Sequence, residues 1–447
     1  MPDKPPSKTI LLLMPTTTYR AGPFLDAARR LNLYVVKGSD FCHVLADEWD
    51  IPLSLRFRYV SQAVEDIVAY ARDHSLDAII PVDDYTTEIA ARACEVLGLP
   101  HNKPEAAVAA RNKHRMREML SASGEWSPYF ARFDVSIPVE EIALEQPYPC
   151  VLKPILLSGS RGVIRADSPA EFIEAFGRIG RMFARSSDRP PDPDPDANRI
   201  MVESYIPGEE VALEGLLTGG RLRVLALFDK PDPLEGPFFE ETIYVTPSRL
   251  PEATQHAVAE TVQRASTAVG LSEGPVHAEL RVRHGRARMI EIAGRSIGGL
   301  CSRVLELGLG VSLEELILRH ALGEDVDGIG GKTEDRAGAG GGTTASGHPD
   351  DPVRAAACTK AAGVMMLPVP EGGLFQGYDG VDAAKKVPGV EDVVITAGEG
   401  DMLTPLPEGA SYPGFIFAKG DEPGQVEQVL RTAHGRLHLR VKAVLPA

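Results

Sequence analysis

Residues 9–15 (Thr-Ile-Leu-Leu-Leu-Met-Pro) form a short apolar run that predicts a buried strand. Helical spacing follows over Ala21–Leu31, a second apolar strand over Leu33–Lys37, and another helical pattern over Val60–His74. Ala78–Pro81 reads as a strand and Thr87–Leu97 as a helix that stops at Gly98. This β-α-β-α alternation predicts a parallel α/β sheet in the first hundred or so residues. Asp83 and Asp84 fall just past a strand's carboxyl end, where open α/β sheets place ligands, with a solvated loop as the alternative. Thr16-Thr17-Thr18 stands where a GxGxxG would follow the first strand, which argues against dinucleotide binding.

The pattern then changes. A helix is predicted over Ala106–Ser121, carrying Arg111, Lys113, Arg115 and Arg117. Strands follow at Tyr129–Phe133 and Tyr148–Pro154, then a Gly/Ser loop at Ser158–Gly162 and a helix at Pro169–Ala184. Ser186–Asn198 is a Pro/Asp-rich surface loop. Further strands are expected at Ile200–Tyr205, Glu210–Leu217, Arg221–Asp229, His277–Arg283 and Ala287–Ile292, with a long helix at Pro251–Val269. These are largely antiparallel and polar on one side, so a second domain of α+β type is expected. Gly328–Asp351 is almost devoid of apolar residues and reads as a linker. Gly330-Gly331-Lys332-Thr333 within it lacks the first glycine and the preceding strand of a phosphate-binding loop. Beyond it, strands at Ala361–Val369, Gly389–Thr396 and Gly414–Lys419 and helices at Gly380–Val387 and Pro423–His434 predict a small third α/β module.

Composition narrows the class. The 447 residues, 43% hydrophobic and 25% charged, suit about three domains at roughly 150 residues each. No apolar run approaches the ~20 residues needed to span a bilayer, and the apolar stretch behind the polar start is too short for a signal-peptide core, so a cytoplasmic protein is expected. Cys42, Cys94, Cys150, Cys301 and Cys358 show no CxxC spacing, which indicates neither a zinc knuckle nor a disulfide framework. A net charge of -16 with no basic block disfavours nucleic acid, so any phosphate chemistry must sit in a local pocket.

Four features in one order supply such a pocket. Lys113 lies ahead of the second domain, and Lys153 lies in an apolar strand followed by Ser158-Gly159-Ser160-Arg161-Gly162. The block Met201–Glu214 comes next, then Glu279 and Glu291 on consecutive strands ending in Gly294-Arg295. Each has a plain structural reading when taken alone: an edge lysine, a hairpin turn, a solvated acidic face. Together they offer two cations for phosphate oxygens, small residues for close backbone approach and carboxylates for Mg2+. His277, Glu279, Arg281 and Arg283 share one face at period two, and an in-register hairpin would bring Glu279 and Glu291 together around a cation.

At this point nearly the whole chain resembles the ATP-grasp superfamily of carboxylate–amine ligases, most closely its L-amino-acid ligase (dipeptide synthetase) branch. The stretches carrying the likeness are Ala78–Asn102, Ala110–Arg117, Pro149–Pro154, Glu203–Glu210, Gly236–Pro247, the Glu279/Glu291 pair and Ala362 to Ile416. The resemblance implies a Rossmann-like pre-ATP-grasp domain (1–112), a nucleotide-binding core (113–327) with a lid at roughly 125–200, the linker (328–351) and a C-terminal module (352–447). It implies ATP held by Lys113, Lys153, Ser158, Ser160 and Gly162, with Glu203, Tyr205 and Ile206 at the adenine and Glu210 at the ribose. Glu279 and Glu291 would bind Mg2+, with Mn2+ as the alternative ion. Arg295 would hold the phosphate or substrate carboxylate, and Glu241 the substrate amino group. The implied partners are a small-molecule carboxylate and an amine, with no membrane and with a homodimer as the candidate assembly. Two positions depart from the family pattern. Ala293 stands where many members have an asparagine ligand, and Tyr244 stands where the dipeptide ligases often have a histidine. A tyrosine hydroxyl can donate to an oxyanion but carries no positive charge at neutral pH. A bicarbonate-using ATP-grasp enzyme and a non-catalytic ATP sensor are the rival readings.

Overall fold

The computed structural model describes residues 8–40 apart from 17 and 19, then 53–185, 194–326, 329, 360–409 and 412–444. Residues 186–193 of the Pro/Asp-rich loop, the Gly-Gly-Lys-Thr run, nearly all of the predicted linker, Cys42 and Cys358 lie outside the described residues.

β1 (Thr9–Leu13), β2 (Tyr34–Ser39), β3 (Leu53–Ser54) and β4 (Ala78–Pro81) form the expected parallel sheet, in the order β3-β2-β1-β4. Ile10 and Leu12 pack on Phe24 and Ala27 on one face, while Leu11 and Leu13 pack on Ile67 and Ile89 on the other. Burial on both faces is why the strand reads as a continuous apolar run. The helix Asp84–Leu97 starts from Asp83 and ends at Gly98, whose φ of 69° suits the left-handed cap.

The single helix expected over Ala106–Ser121 is two, Pro104–Arg111 and Lys113–Ala122. Asn112 breaks it with extended backbone, its side chain accepting the Arg115 N–H at 3.0 Å and donating to Asp196 at 2.7 Å. An asparagine that satisfies a helix start with its own side chain competes with helix continuation. The break aims Lys113 inward, its N–H reaching the Ile155 carbonyl at 3.4 Å.

β5 (Phe130–Asp134), β6 (Cys150–Pro154), β7 (Ile164–Ala166) and β8 (Arg199–Ser204) make an antiparallel sheet ordered β5-β8-β6-β7. The helix Pro169–Arg185 covers it with Phe172, Phe176 and Ile179. The main sheet is built from β9 (Glu209–Thr218), β10 (Arg221–Asp229), β11 (Ile243–Thr246), β12 (Gly274–Arg283) and β13 (Arg286–Ala293). The helix Glu252–Val269 packs Val258 and Val262 against it.

The C-terminal strands are β14 (Ala361–Met366), β15 (Gly373–Asp379), β16 (Val390–Ile395), β17 (Met402–Leu403), β18 (Gly414–Gly420) and β19 (His438–Lys442). Three of them extend the main sheet into eight strands, β13-β12-β9-β10-β11-β14-β18-β16, while β17-β15-β19 form a small sheet. Only the latter stands apart as the predicted third module would. The join is the β11/β14 ladder, with Tyr244 opposite Val364. An open strand edge pairs with whatever strand reaches it, and hydrophobic periodicity says nothing of which strand that is. Cys94, Cys150 and Cys301 are buried thiols. No helix among the described residues is long and apolar enough to cross a membrane.

Candidate active site

In the β12/β13 hairpin Glu279 does lie opposite Glu291, but through a register shift between Glu279 and Leu280 rather than by unbroken in-register pairing. Val276, Ala278, Leu280 and Val282 enter the core, which turns His277, Glu279 and Arg281 to the other face of β12. On the opposite side of β12, β9 places Glu214 beside His277, Ala212 beside Glu279 and Glu210 beside Arg281. Two of these rungs are ion pairs, His277 Nδ1–Glu214 at 3.1 Å and Arg281 Nε–Glu210 at 2.9 Å. Cross-strand opposite charges of this kind hold a polar face together where burial would otherwise penalise each charge.

Lys230, one residue beyond β10, reaches into this face. Its Nζ stands 2.8 Å from Glu210 and 3.2 Å from Glu279 and also bonds Glu241. Glu210, Glu241 and Glu279 each bring one carboxylate oxygen within 4.8 Å of the others. Burial works against the Lys230 charge, but Glu210 and Glu241 outweigh it and raise the ammonium pKa well above its ordinary value. Glu241 goes the other way, since burial and the nearby Glu279 charge push it up to about 7. Burial also raises Glu279, yet Lys230 and His277 bring it well below the usual carboxylate range. The Tyr244 hydroxyl donates to Glu241 at 2.9 Å, and its ring lies 4.9 Å below the Lys230 ammonium.

A second cluster gathers around Lys113, Lys153, Glu203 and Glu291. Lys113 donates to the Leu157 carbonyl at 2.7 Å and stands 3.3 Å from Glu291. Glu291 thus faces Lys113 rather than joining the carboxylate trio that surrounds Lys230. Lys153 pairs with Glu203, which also receives Arg117 Nε at 3.0 Å. Arg117 is wholly buried and donates to the Met289 and Ile290 carbonyls at 2.8 and 3.0 Å, tying the Lys113 helix to β13 just before Glu291. Burial raises the Glu203 carboxyl, but Arg117 and Lys153 overcome it and hold it below its ordinary range. Tyr205 continues from Glu203, its N–H on the Pro149 carbonyl at 3.0 Å and its ring 4.3 Å from the Arg165 guanidinium. Ile206 is buried beside it.

The Gly/Ser loop leaves β6 and turns through positive φ at Gly159, Ser160 and Gly162. Gly162 is required twice over, by its φ of 72° and because a Cβ there would lie 2.5 Å from Pro154. Ser158 is exposed at the loop tip and Ser160 is half-buried. The loop is tethered far along the chain, with Gly162 N–H on Pro407 O at 2.8 Å and Arg161 Nε on Glu408 O at 3.0 Å.

Arg295 Nε meets Asp84 at 2.8 Å, and Arg20 meets Asp83 at 3.4 Å and the Ser296 side chain. The two aspartates after β4 are therefore not simply solvated; they dock arginines from elsewhere in the chain. The structure brings Glu210, Glu241, Tyr244 and Glu279 together at one cluster and Lys113, Lys153, Glu203 and Glu291 at the other. Sequence reasoning missed Lys230 altogether, and did not assign roles to Arg117, Glu214 or Arg20. A lysine after a strand, in Asp229-Lys230-Pro231, carries no motif. Only the charge excess of Glu210, Glu241 and Glu279 hints that some cation must answer them.

Family models match residues 146–304 as an ATP-grasp domain and 365–442 as L-amino acid ligase C-terminal domain 2. Alanine–anticapsin ligase of Bacillus subtilis (strain 168) is 27% identical over 322 residues, 67% of this chain and 66% of that protein. Dapdiamide A synthase of Enterobacter agglomerans is 26% identical over 254 residues, 56% of this chain and 57% of that one. Matches to the alanine–anticapsin ligases thus span 64–66% of those proteins' length. The crystal structure of L-amino acid ligase from Bacillus licheniformis superposes with a TM-score of 0.75 at 24% identity, covering 98% of this chain and 100% of that chain. This chain therefore carries an ATP-grasp domain followed by an L-amino acid ligase C-terminal domain, on the ATP-grasp fold.

Proposed function

We propose that the protein is an ATP-dependent ligase that joins a carboxylate, an amino acid in the first instance, to an amine through an acyl phosphate, releasing ADP and phosphate. The observation that carries this reading is that Lys113 stands 3.3 Å from Glu291, which lies opposite Glu279 and its carboxylate neighbours Glu210 and Glu241, while Lys153 pairs with Glu203 on the adjoining sheet. The alanine–anticapsin ligase and dapdiamide synthase likenesses support it.

The donor set fits a hard divalent ion. Glu279 and Glu291 stand opposite each other and Glu210 and Glu241 lie beside Glu279, all oxygen donors of the kind Mg2+ or Mn2+ takes. Such an ion would neutralise charge developing on the transferred phosphoryl group. Lys113 and Lys153 would bind phosphate oxygens, with the Ser158–Gly162 loop closing over them. Glu203, Tyr205 and Ile206 would line the adenine side and Glu210 the ribose side.

The acceptor end uses Glu241 and Arg295. A carboxylate pushed up to about 7 and backed by Lys230 is suited to holding an amino group and to taking its proton as it becomes a nucleophile. Arg295 would exchange Asp84 for the substrate carboxylate or the phosphoryl oxygens. Tyr244, whose hydroxyl is kept protonated by burial and by the Glu241 charge, would donate to the tetrahedral oxyanion or orient Glu241. The expected cytoplasmic location and homodimer belong to the same reading.

The test is ADP release from Mg-ATP with mixed amino acids, followed by mass spectrometry of the condensation products. Amino-acid-stimulated ADP and a dipeptide product support the ligase. ATP binding without stimulated ADP favours the sensor, and bicarbonate-stimulated ADP favours the carboxylating rival.

A further inference from the structure

We propose that the cavity between the N-terminal sheet and the main sheet is a regulatory binding site for a short branched aliphatic carboxylate. Binding there stands by itself, whereas its effect on turnover rests on the ligase reading.

The cavity measures about 100 Å3. Its apolar walls are Ile79 and Ile80 of β4, Leu271 and Pro275 on the approach to β12, and Ile317 of the helix Leu313–Ala321. The helices Asp84–Leu97 and Pro104–Arg111 face it with Ala90, Cys94, Ala107 and Ala110, whose small side chains leave the space open. An apolar cavity of about 150 Å3 takes up benzene, so this one suits an aliphatic body of about four carbons. Lys230, Glu241, Tyr244 and Glu279 are not among the described residues that line it, so it is separate from the carboxylate cluster.

The polar groups on its wall are nearly all engaged within the protein. Asp84 pairs with Arg295, Ser296 accepts from Arg20, and Glu273 accepts the Gly219 N–H at 2.9 Å. The Asn102 amide is held by the Ser272 and Glu273 backbone, while His101 bonds the Leu99 carbonyl and His320 the Thr218 hydroxyl. Arg111 differs. Half-buried, it lays its guanidinium 4.8 Å from the centre of the Tyr85 ring, and no carboxylate among the described residues forms an ion pair with it. Stacking on a ring occupies the face of the guanidinium and leaves its edge, the fork of N–H donors, for a planar anion. A carboxylate carried on an apolar body answers both the arginine and the cavity. An ammonium group would have to displace bonds that Asp84 and Glu273 already make, which selects a simple acid over an amino acid.

The site is coupled to Arg295 through its walls. Gly294 and Ser296, the residues on either side of Arg295, line the cavity together with Asp84. A ligand packed against these three favours the state in which Arg295 is docked on Asp84. The proposed reaction needs Arg295 released from Asp84, so the ligand slows it.

The full-length protein is titrated with 3-methylbutanoate by calorimetry, and contacts of the 13C-labelled methyls of the bound acid are mapped by nuclear Overhauser effects. We expect a dissociation constant on the order of 1 mM, with contacts to the Ile79 and Ile317 methyls. Arg111→Met should weaken binding about tenfold or more, and Ala107→Leu, which fills the cavity, should do the same. The uncharged 3-methylbutanamide should bind about tenfold more weakly, and L-leucine should give no such contacts. Amino-acid-dependent ADP release should fall as the acid saturates the wild type and stay constant in Arg111→Met. No binding, or binding that Arg111→Met leaves unchanged, overturns the site. Equal binding of the amide, or leucine contacts at Ile79 and Ile317, overturns the ligand class. Saturation with unchanged ADP release overturns the regulation. A protein with no amino-acid-dependent ADP release at all overturns the ligase reading and the regulation with it, and the titration still decides the site. Arg111→Met leaves the core intact, so the result holds even if Ala107→Leu does not fold.

Discussion

Glu279 and Glu291 stand directly opposite each other on adjacent strands, yet each is answered by a different lysine, Lys230 at 3.2 Å and Lys113 at 3.3 Å. Two carboxylates so placed repel unless cations divide them. The protein meets that need with its own side chains, and a divalent ion would meet it in the reacting complex.

Glu291→Gln should therefore keep the fold, because Lys113 retains its bond to the Leu157 carbonyl, while raising the Mg2+ concentration needed for half-maximal ADP release by about tenfold or more. A Mg2+ titration checks this. An unaltered curve removes Glu291 from the metal site.

Lys153→Ala should abolish amino-acid-dependent ADP release with the fold intact. Glu203 keeps Arg117, so the loss of stability stays near the 1–3 kcal/mol of an impaired charged hydrogen bond. Unchanged turnover in a folded variant would remove Lys153 from the nucleotide site. Arg117→Ala leaves Glu203 and two β13 carbonyls short of a partner and should cost about 3–5 kcal/mol, read from urea midpoints.

Acid should unfold the protein partly through Glu203. Its carboxyl pKa is depressed in the folded state by Arg117 and Lys153, so its contribution is complete above the unfolded value, about 4.3, and is lost as pH falls through the lower folded value. Urea midpoints should fall steeply below about pH 4. A Glu203→Gln variant should start less stable at pH 7 and show a shallower acid slope.

Arg178 grips Glu408 with two bonds, 2.7 and 2.9 Å, joining the helix Pro169–Arg185 to the segment after β17. Both side chains are partly exposed, so the pair is worth at most about 1 kcal/mol. Glu408→Gln should thus leave thermal stability nearly unchanged while speeding proteolysis within the Ser158–Gly162 loop, whose Gly162 and Arg161 bond the same segment. Equal cleavage rates would show that the tether does not restrain the loop.

The chain's local chemistry determined much of this on its own. Parallel strands buried on two faces are continuous apolar runs, so β1 and β4 were legible, and Gly98 marked its helix end. The alternation from His277 to Arg283 foretold the charged face of β12, whereas the opposition of Glu279 and Glu291 depends on a bulge between Glu279 and Leu280 that the pattern did not show. What remained hidden depends on contacts between residues far apart in the chain. Lys230 has no motif and acquires its role only where Glu210, Glu241 and Glu279 meet. Asp84 and Arg295 are 211 positions apart and bond at 2.8 Å. The edge of β11 accepts β14 from across the Gly-rich run. Periodicity reports which face of an element is buried, because that is a property of neighbouring residues. It carries no information about which distant element supplies the partner, and only the tertiary structure decided that.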